Sequence, residues 1–286
     1  MHYPVMAAEA VDLLAIRPDG IYLDATAGLG GHTGLIAQRL TAGLVIANDR
    51  DARSLEMARQ NTSEWSGRIW YHQGTFGQLR EALDEARIDK VDGLLADLGV
   101  SRYQLTSPER GFSFLADGPL DMRMDQSTGM TAADLVNQTA EEALADLIFQ
   151  LGGERRARKV ARAIVRARPI RSPRHLADVV ERAVPRTGKT HPATQTFQAL
   201  RMAVNDEPGE LDHLLRFGPE LVASGGRMVV ISFMSFDDRK VKERFKSLGR
   251  DGRATVLTKH PIEPGEEEVV RNPASRSAKL RALQMI

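Results

Sequence analysis

The stretch Asp24-Ala25-Thr26-Ala27-Gly28-Leu29-Gly30-Gly31-His32-Thr33 constrains this chain more than any other. Strand-like Ile21, Tyr22 and Leu23 precede it, and Leu35, Ile36, Ala37 and Leu40 follow at helical spacing. The pattern is a strand, a glycine-rich turn and a helix. Glycines let a ligand approach the backbone closely, and the free N–H groups that open the helix point at it. A nucleotide-like cofactor is the natural occupant. The G-x-G-x-x-G pattern of dinucleotide sites is only half present: Gly28 and Gly30 fit, but Thr33 stands where the third glycine would be. The acid inside the strand, Asp24, suits S-adenosylmethionine (AdoMet) better than NAD.

The next segments repeat the strand–helix alternation. Leu44 to Asn48 forms a second short strand that ends at Asp49, 21 positions past Gly28. An acid there, about 20 residues beyond the turn, is placed to grip a ribose hydroxyl pair. It is also placed to cap the next helix, although Asp51 can serve that end instead. Ile69 to Gln73 reads as a third strand followed by Phe76, which either flanks an adenine or staples the helix after it. Val91 to Ala96 is a fourth strand, running into Asp97-Leu98-Gly99-Val100-Ser101. Such alternation predicts right-handed crossovers and a parallel sheet with ligands at its carboxyl ends. The glycine turn, Asp49, Phe76 and Asp97 all fall at those ends.

The alternation then breaks. Residues 108–125 are rich in Gly, Pro, Phe and charge, and 131–205 carry helical patterns with no convincing strand. Helices are expected over 140–151, 155–167, 172–184 and 193–204. One of them carries Arg155, Arg158, Lys159, Arg162 and Arg166 at i, i+3 and i+4 spacing, extended by Arg168, Arg171 and Arg174. Such a run is either a solvated face or a phosphate-contacting one, and the near absence of acids between Arg155 and Arg174 favours phosphate. Strand patterns return at Met228 to Ser232, 254–257 and 278–283. Asp117, Asp121 and Asp125 are expected to cap turns and pair with Arg110 and Arg123 rather than hold a metal. The seven histidines include no H-x-x-x-H pair, and Glu266-Glu267-Glu268 reads as solvated surface.

Composition sets the outer limits. With 286 residues, the chain has room for about two domains, or one with a large insertion. A net charge of +1 gives no global attraction to nucleic acid, so any such attraction is local. The absence of cysteine excludes disulfides and thiolate catalysis. Met1-His2-Tyr3-Pro4 lacks a signal-peptide pattern, and no apolar run reaches the ~18 residues of a membrane span. The expectation is a soluble cytoplasmic protein.

Several stretches together resemble one family. They are Gly28-Leu29-Gly30-Gly31-His32, Asp97-Leu98-Gly99-Val100-Ser101, Gln104-Leu105, Arg110-Gly111-Phe112-Ser113-Phe114, Asp117-Gly118-Pro119-Leu120-Asp121-Met122-Arg123-Met124-Asp125, Phe197-Gln198-Ala199-Leu200-Arg201, Val230-Ile231-Ser232-Phe233, Asp238-Arg239 and Arg276-Ser277-Ala278-Lys279-Leu280-Arg281. The chain resembles the bacterial small-subunit ribosomal RNA cytosine-N4 methyltransferases of the RsmH or MraW type. It departs from their pattern at Arg102, Gln195 and Met234. The resemblance implies an α/β fold: a Rossmann-like AdoMet-dependent methyltransferase sheet with an inserted all-helical domain. The methyltransferase domain is expected over 1–107 and 207–286, and the helical insertion, with the RNA-binding run, over 108–206. The implied acceptor is the N4 amine of a cytosine in the decoding region of 16S ribosomal RNA. The implied cofactor residues are Gly30, Gly31, His32, Asp49, Phe76, Asp97 and Gln104. Asp97 and Ser101, on the loop after the fourth strand, have oxygens that could accept N4–H hydrogen bonds. Methyl transfer to a small molecule and a non-catalytic AdoMet-responsive RNA-binding or ribosome-assembly factor are the competing readings; the large insertion and basic helix weigh against the former. An NAD-dependent dehydrogenase is disfavoured by Thr33.

Overall fold

A computed structural model describes residues 4–115, 117–186, 188 and 190–286. The chain divides into two compact units, 1–99 with 209–286 and 100–208.

The first unit is wound around a seven-stranded sheet whose strands lie in the order Ile69–Gln73, Leu44–Asp49, Ile21–Asp24, Val91–Asp97, Val222–Ser232, Lys279–Met285, Ala254–Val256. Its first half runs α1 (Ala7–Leu14), β1 (Ile21–Asp24), α2 (Gly31–Arg39), β2 (Leu44–Asp49), α3 (Ala52–Asn61), β3 (Ile69–Gln73), α4 (Leu79–Glu85) and β4 (Val91–Asp97). These strands are parallel, in the register Leu23 to Ile46 and to Leu94. Alternate side chains point to opposite faces, and both faces are covered. Leu23, Ile46, Leu94 and Val230 join Leu79 and Leu83 of α4 in one core. Tyr22, Val45, Leu95 and Val229 join Leu14 of α1 and Ile36 of α2 in the other. Helices on both faces of a parallel sheet make a Rossmann-like doubly wound fold.

The second unit is helical: α5 (Arg102–Thr106), α6 (Ala132–Gln138), α7 (Glu141–Gly152), α8 (Ala157–Arg166), α9 (Pro173–Ala183) and α10 (Thr194–Val204). Its core combines Leu144, Ile148, Val160, Ile164, Leu176, Val180, Phe197 and Leu200 with Phe112, Leu120 and Met122 from the irregular stretch. Residues 100–107, grouped with the sheet on sequence, cluster with this unit. The α6 helix opens on a Thr131/Asp134 capping box, a local signal that periodicity alone does not reveal.

The return is α11 (Glu207–Leu221), β5 (Val222–Ser232), α12 (Ser235–Arg250), β6 (Ala254–Val256), α13 (Glu266–Arg271) and β7 (Lys279–Met285). Strand β5 continues the parallel set beside β4, whereas β7 runs antiparallel to β5 and β6. No helix among the described residues is long and apolar enough to cross a membrane.

Candidate active site

The carboxyl ends of β1, β2 and β4 and the turn into α2 bring a set of polar groups together. Asp24, the last residue of β1, is fully buried. It accepts from the Thr26 amide at 3.2 Å and from the Thr33 hydroxyl at 2.6 Å. Thr33, which breaks the dinucleotide pattern, is therefore the donor that satisfies a buried acid. Burial pushes the Asp24 carboxyl up.

Of the two acids that could cap the next helix, Asp51 takes that role. It caps α3, accepting from the amides of Arg53 at 3.1 Å and Ser54 at 3.3 Å. Asp49 instead accepts from the Gly28 amide at 2.8 Å and the Asp51 amide at 2.9 Å, which ties the tip of β2 to the glycine turn. Burial raises its carboxyl to about 6 against the pull of those two amides. Neighbouring Asn48 donates to the carbonyls of Ala25 and Gly74, both at 3.1 Å, and so joins the loops after β1 and β3.

Within the turn the glycines differ. Gly28 and Gly30 both have positive φ, at 53° and 86°. A β-carbon on Gly28 would meet little, whereas one on Gly30 would lie 2.9 Å from the Thr62 methyl and 3.2 Å from Ala58 Cα. Gly30 thus lets the turn pack against α3, and a side chain there collides with the protein itself. Gly31, the first residue of α2, lies against Pro4.

His32, in the first turn of α2, is buried and donates from Nε2 to the Val5 carbonyl at 2.9 Å. Its Nδ1 lies 3.9 Å from Asp97 Oδ2. Asp97 ends β4, and its amide donates to the Thr26 hydroxyl at 2.7 Å. Its Oδ1 is buried with no hydrogen-bond partner. Burial foremost, then the charges of Asp24 and Glu268, push this carboxyl up to about 8. Phe76 is half-buried against the sheet core, and its amide donates to Glu210 at 2.7 Å.

The remaining sequence candidates lie in the helical unit. Ser101 and Gln104 form the capping box of α5: Gln104 Oε1 accepts from the Ser101 amide at 2.9 Å, and Ser101 Oγ accepts from the Gln104 amide at 3.2 Å. Arg158, Lys159, Arg162 and Arg166 are exposed on α8, and exposed Arg155 precedes the helix, while Ala157, Val160, Ala161 and Ile164 are buried. Arg162 reaches Glu141 at 3.3 Å. Arg168 turns inward and donates to the carbonyls of Val136 and Thr139.

The acids of the irregular stretch have local partners. Asp121 is paired with Arg123 at 2.8 Å, Asp125 accepts from Ser127, and Asp117 lies 3.7 Å from Arg174. Arg110 is fully buried and donates to the carbonyls of Arg123 and Met124. Among the described residues no group of His, Asp and Glu is arranged to hold a metal.

The full chain, residues 1–286, matches the model of the MraW methylase family. The chain belongs to that family. This MraW-family chain is 73% identical to the ribosomal RNA small subunit methyltransferase H of Solibacter usitatus over 285 residues, covering 100% of both. The proteins of that name from Acidobacterium capsulatum and a Cyanothece species are each 46% identical to it, over 99% and 100% of this chain and 98% and 95% of their own. For a methylase of this fold the cofactor is AdoMet.

The sheet-end residues suit that cofactor. The unpartnered Asp97 Oδ1 is an acceptor in want of a cationic or N–H donor, and AdoMet carries an ammonium and a sulfonium. Asp49 offers a carboxylate beside the glycine turn for a ribose diol. Two contributors are not legible in the sequence. Thr26 holds the Asp97 backbone, and nothing marks one threonine in a turn for that task. Glu268, read as solvated, accepts from the Met6 amide at 2.7 Å. Three glutamates in a row conceal which one has a partner 262 residues away.

Proposed function

We propose that this methylase transfers a methyl group from AdoMet to the N4 amine of a cytosine in the decoding region of small-subunit ribosomal RNA, acting in the cytoplasm on assembled or assembling small subunits. Full-length similarity, up to 73% identity, to proteins named as small-subunit ribosomal RNA methyltransferases carries this reading. In it, Asp49 takes the ribose hydroxyls, Asp97 and His32 the polar end of the cofactor, the glycine turn and Phe76 the nucleoside, and Gln104 supports the loop after β4. The helical unit supplies RNA contact through Arg155, Arg158, Lys159, Arg162 and Arg166.

The chemistry of the chain supports a heteroatom acceptor. Methylation at cytosine carbon-5 requires a nucleophile to add to the ring, the role of a cysteine thiolate, and this chain has no cysteine. The N4 lone pair is delocalised into the ring. An acceptor for the N4–H bonds localises it, and alignment with the sulfonium methyl supplies most of the rate. As the N4–methyl bond forms, the methyl–sulfur bond breaks, and the proton that N4 loses passes to the accepting oxygen and on to solvent. Asp97 and Ser101 are the proposed acceptors. The target base must leave its stack, at a cost that a single-stranded target lowers.

Small subunits incubated with methyl-labelled AdoMet, then digested to nucleosides, should yield N4-methylcytidine. RNA carrying 5-fluorocytosine at the target should be methylated without a trapped adduct. Ser101→Ala should lower turnover more than binding. A covalent protein–RNA adduct, or product with the methyl on carbon-5 or a ribose oxygen, overturns the mechanism. Binding of RNA and AdoMet without turnover would favour the non-catalytic factor.

A further inference from the structure

The peptide bond between Val5 and Met6 is held at both ends. Its N–H donates to Glu268 Oε1 at 2.7 Å, and its carbonyl accepts from His32 Nε2 at 2.9 Å. A carbonyl has no proton to give, so Nε2 carries the hydrogen. In the neutral ring Nδ1 is then the lone-pair nitrogen, and it faces Asp97 Oδ2 at 3.9 Å. A lone pair and a carboxylate in that position repel, and a proton on either reverses the sign. Among the described residues the charges of Asp24 from β1 and Glu268 from α13 act on Asp97, and His32 from α2 lies beside it. Two of these three are carboxyls, and the Asp97 Oδ1 is buried without a partner. The surroundings therefore favour a proton on the pair in the cofactor-free protein, in keeping with an Asp97 carboxyl raised to about 8.

We propose that Glu268 is a positioning residue that acts through the Val5–Met6 peptide to hold His32 with Nδ1 toward Asp97, and that the His32–Asp97 pair carries one proton, released to solvent when the cationic cofactor settles beside Asp97. This rests on the assignment of Asp97 to the AdoMet site. The balance is simple: a neutral carboxyl meets a cation, becomes a carboxylate paired with it, and one proton passes to the buffer. AdoMet affinity then rises about tenfold from pH 6 to pH 7, below the range in which the cofactor's own ammonium titrates.

Two measurements test this. Long-range proton–nitrogen NMR on the cofactor-free protein reads the His32 tautomer. Calorimetry of AdoMet binding in buffers of different ionisation enthalpy counts the protons released. The wild-type protein should show the Nε2–H tautomer and release close to one proton at about pH 6.5–7, where the cofactor's ammonium keeps its own proton. Glu268→Gln keeps an oxygen for the Met6 amide but removes the charge. It should keep the tautomer while the midpoint of proton release moves to lower pH. Glu268→Ala should lose the single tautomer and weaken AdoMet binding roughly three- to tenfold. An Nδ1–H tautomer in the wild type, or AdoMet binding at pH 7 without proton release, overturns the proposal, and so does a midpoint unmoved in Glu268→Gln, which remains decisive if the alanine variant does not fold. Absence of AdoMet binding altogether instead overturns the cofactor assignment, and the cofactor-free tautomer distinguishes the two failures.

Discussion

Asp49 and Asp51 stand two residues apart, and the structure gives them different tasks. Asp49→Ala removes the carboxylate proposed to hold the ribose hydroxyls, so AdoMet binding should weaken by about 1.5–3 kcal/mol, measured by calorimetry. Gly30→Val should fail differently. Its β-carbon would meet Thr62 and Ala58, so the cofactor-free protein should lose about 1–3 kcal/mol in thermal or denaturant unfolding before any ligand is added. Asp97 carries a pH signature. Its folded carboxyl holds a proton up to about 8, whereas an unfolded aspartate releases it near 3.9. The folded state therefore binds more protons across that window and loses stability as pH rises through it. Asp97→Asn removes this loss. Its melting temperature relative to wild type, both without cofactor, should climb between pH 4 and pH 9, and a constant difference would contradict a raised carboxyl.

At the scale of elements, α8 shows how far a pattern can be read. Its spacing separates the arginines from Ala157, Ala161 and Ile164, and the structure buries those three with Val160. Val165 is half-buried at the margin of that apolar face. What the pattern could not show is that Arg168, two residues past the helix, turns back to the carbonyls of Val136 and Thr139. Changing Arg158, Arg162 and Arg166 together to glutamate should weaken RNA binding and flatten its salt dependence, with AdoMet affinity unchanged. The log–log slope should become shallower by about 0.7–0.9 for each phosphate that these arginines neutralise in the wild type. Filter binding across a salt series checks this, and an unaltered slope would mark the run as a solvated face. The stretch from Asp117 to Asp125 carries the opposite lesson. Its unusual composition is explained locally by packing: buried Arg110 donates to two of its carbonyls, and the Asn205 side chain accepts from the Met124 amide at 2.7 Å and donates to the Met122 carbonyl at 2.8 Å.

At the scale of the whole molecule, the reversed strand β7 closes the sheet between β5 and β6, and one buried ion pair ties it to α12. Arg281 on β7 meets Asp238 through two bonds, at 2.6 and 3.1 Å. Asp238→Ala would leave the guanidinium buried without its counter-charge and should cost about 3–5 kcal/mol in denaturant unfolding; a change below about 1 kcal/mol would show that the pair is not needed to hold the strand. The sequence by itself determined the alternation of strands and helices, the break into a helical insertion, and the placing of the glycine turn, Asp49 and Asp97 at strand ends, because period and punctuation are local properties of a chain. It also reached the family, through motifs spread over nearly its full length. Only the tertiary structure decided which of two nearby acids caps a helix, that Gly30 serves packing against α3, that β7 runs backward, and that Glu268 reaches the first turn of the chain. Each of these depends on partners distant in sequence, and burial and hydrogen bonding select among locally equivalent residues only once the chain has closed around them.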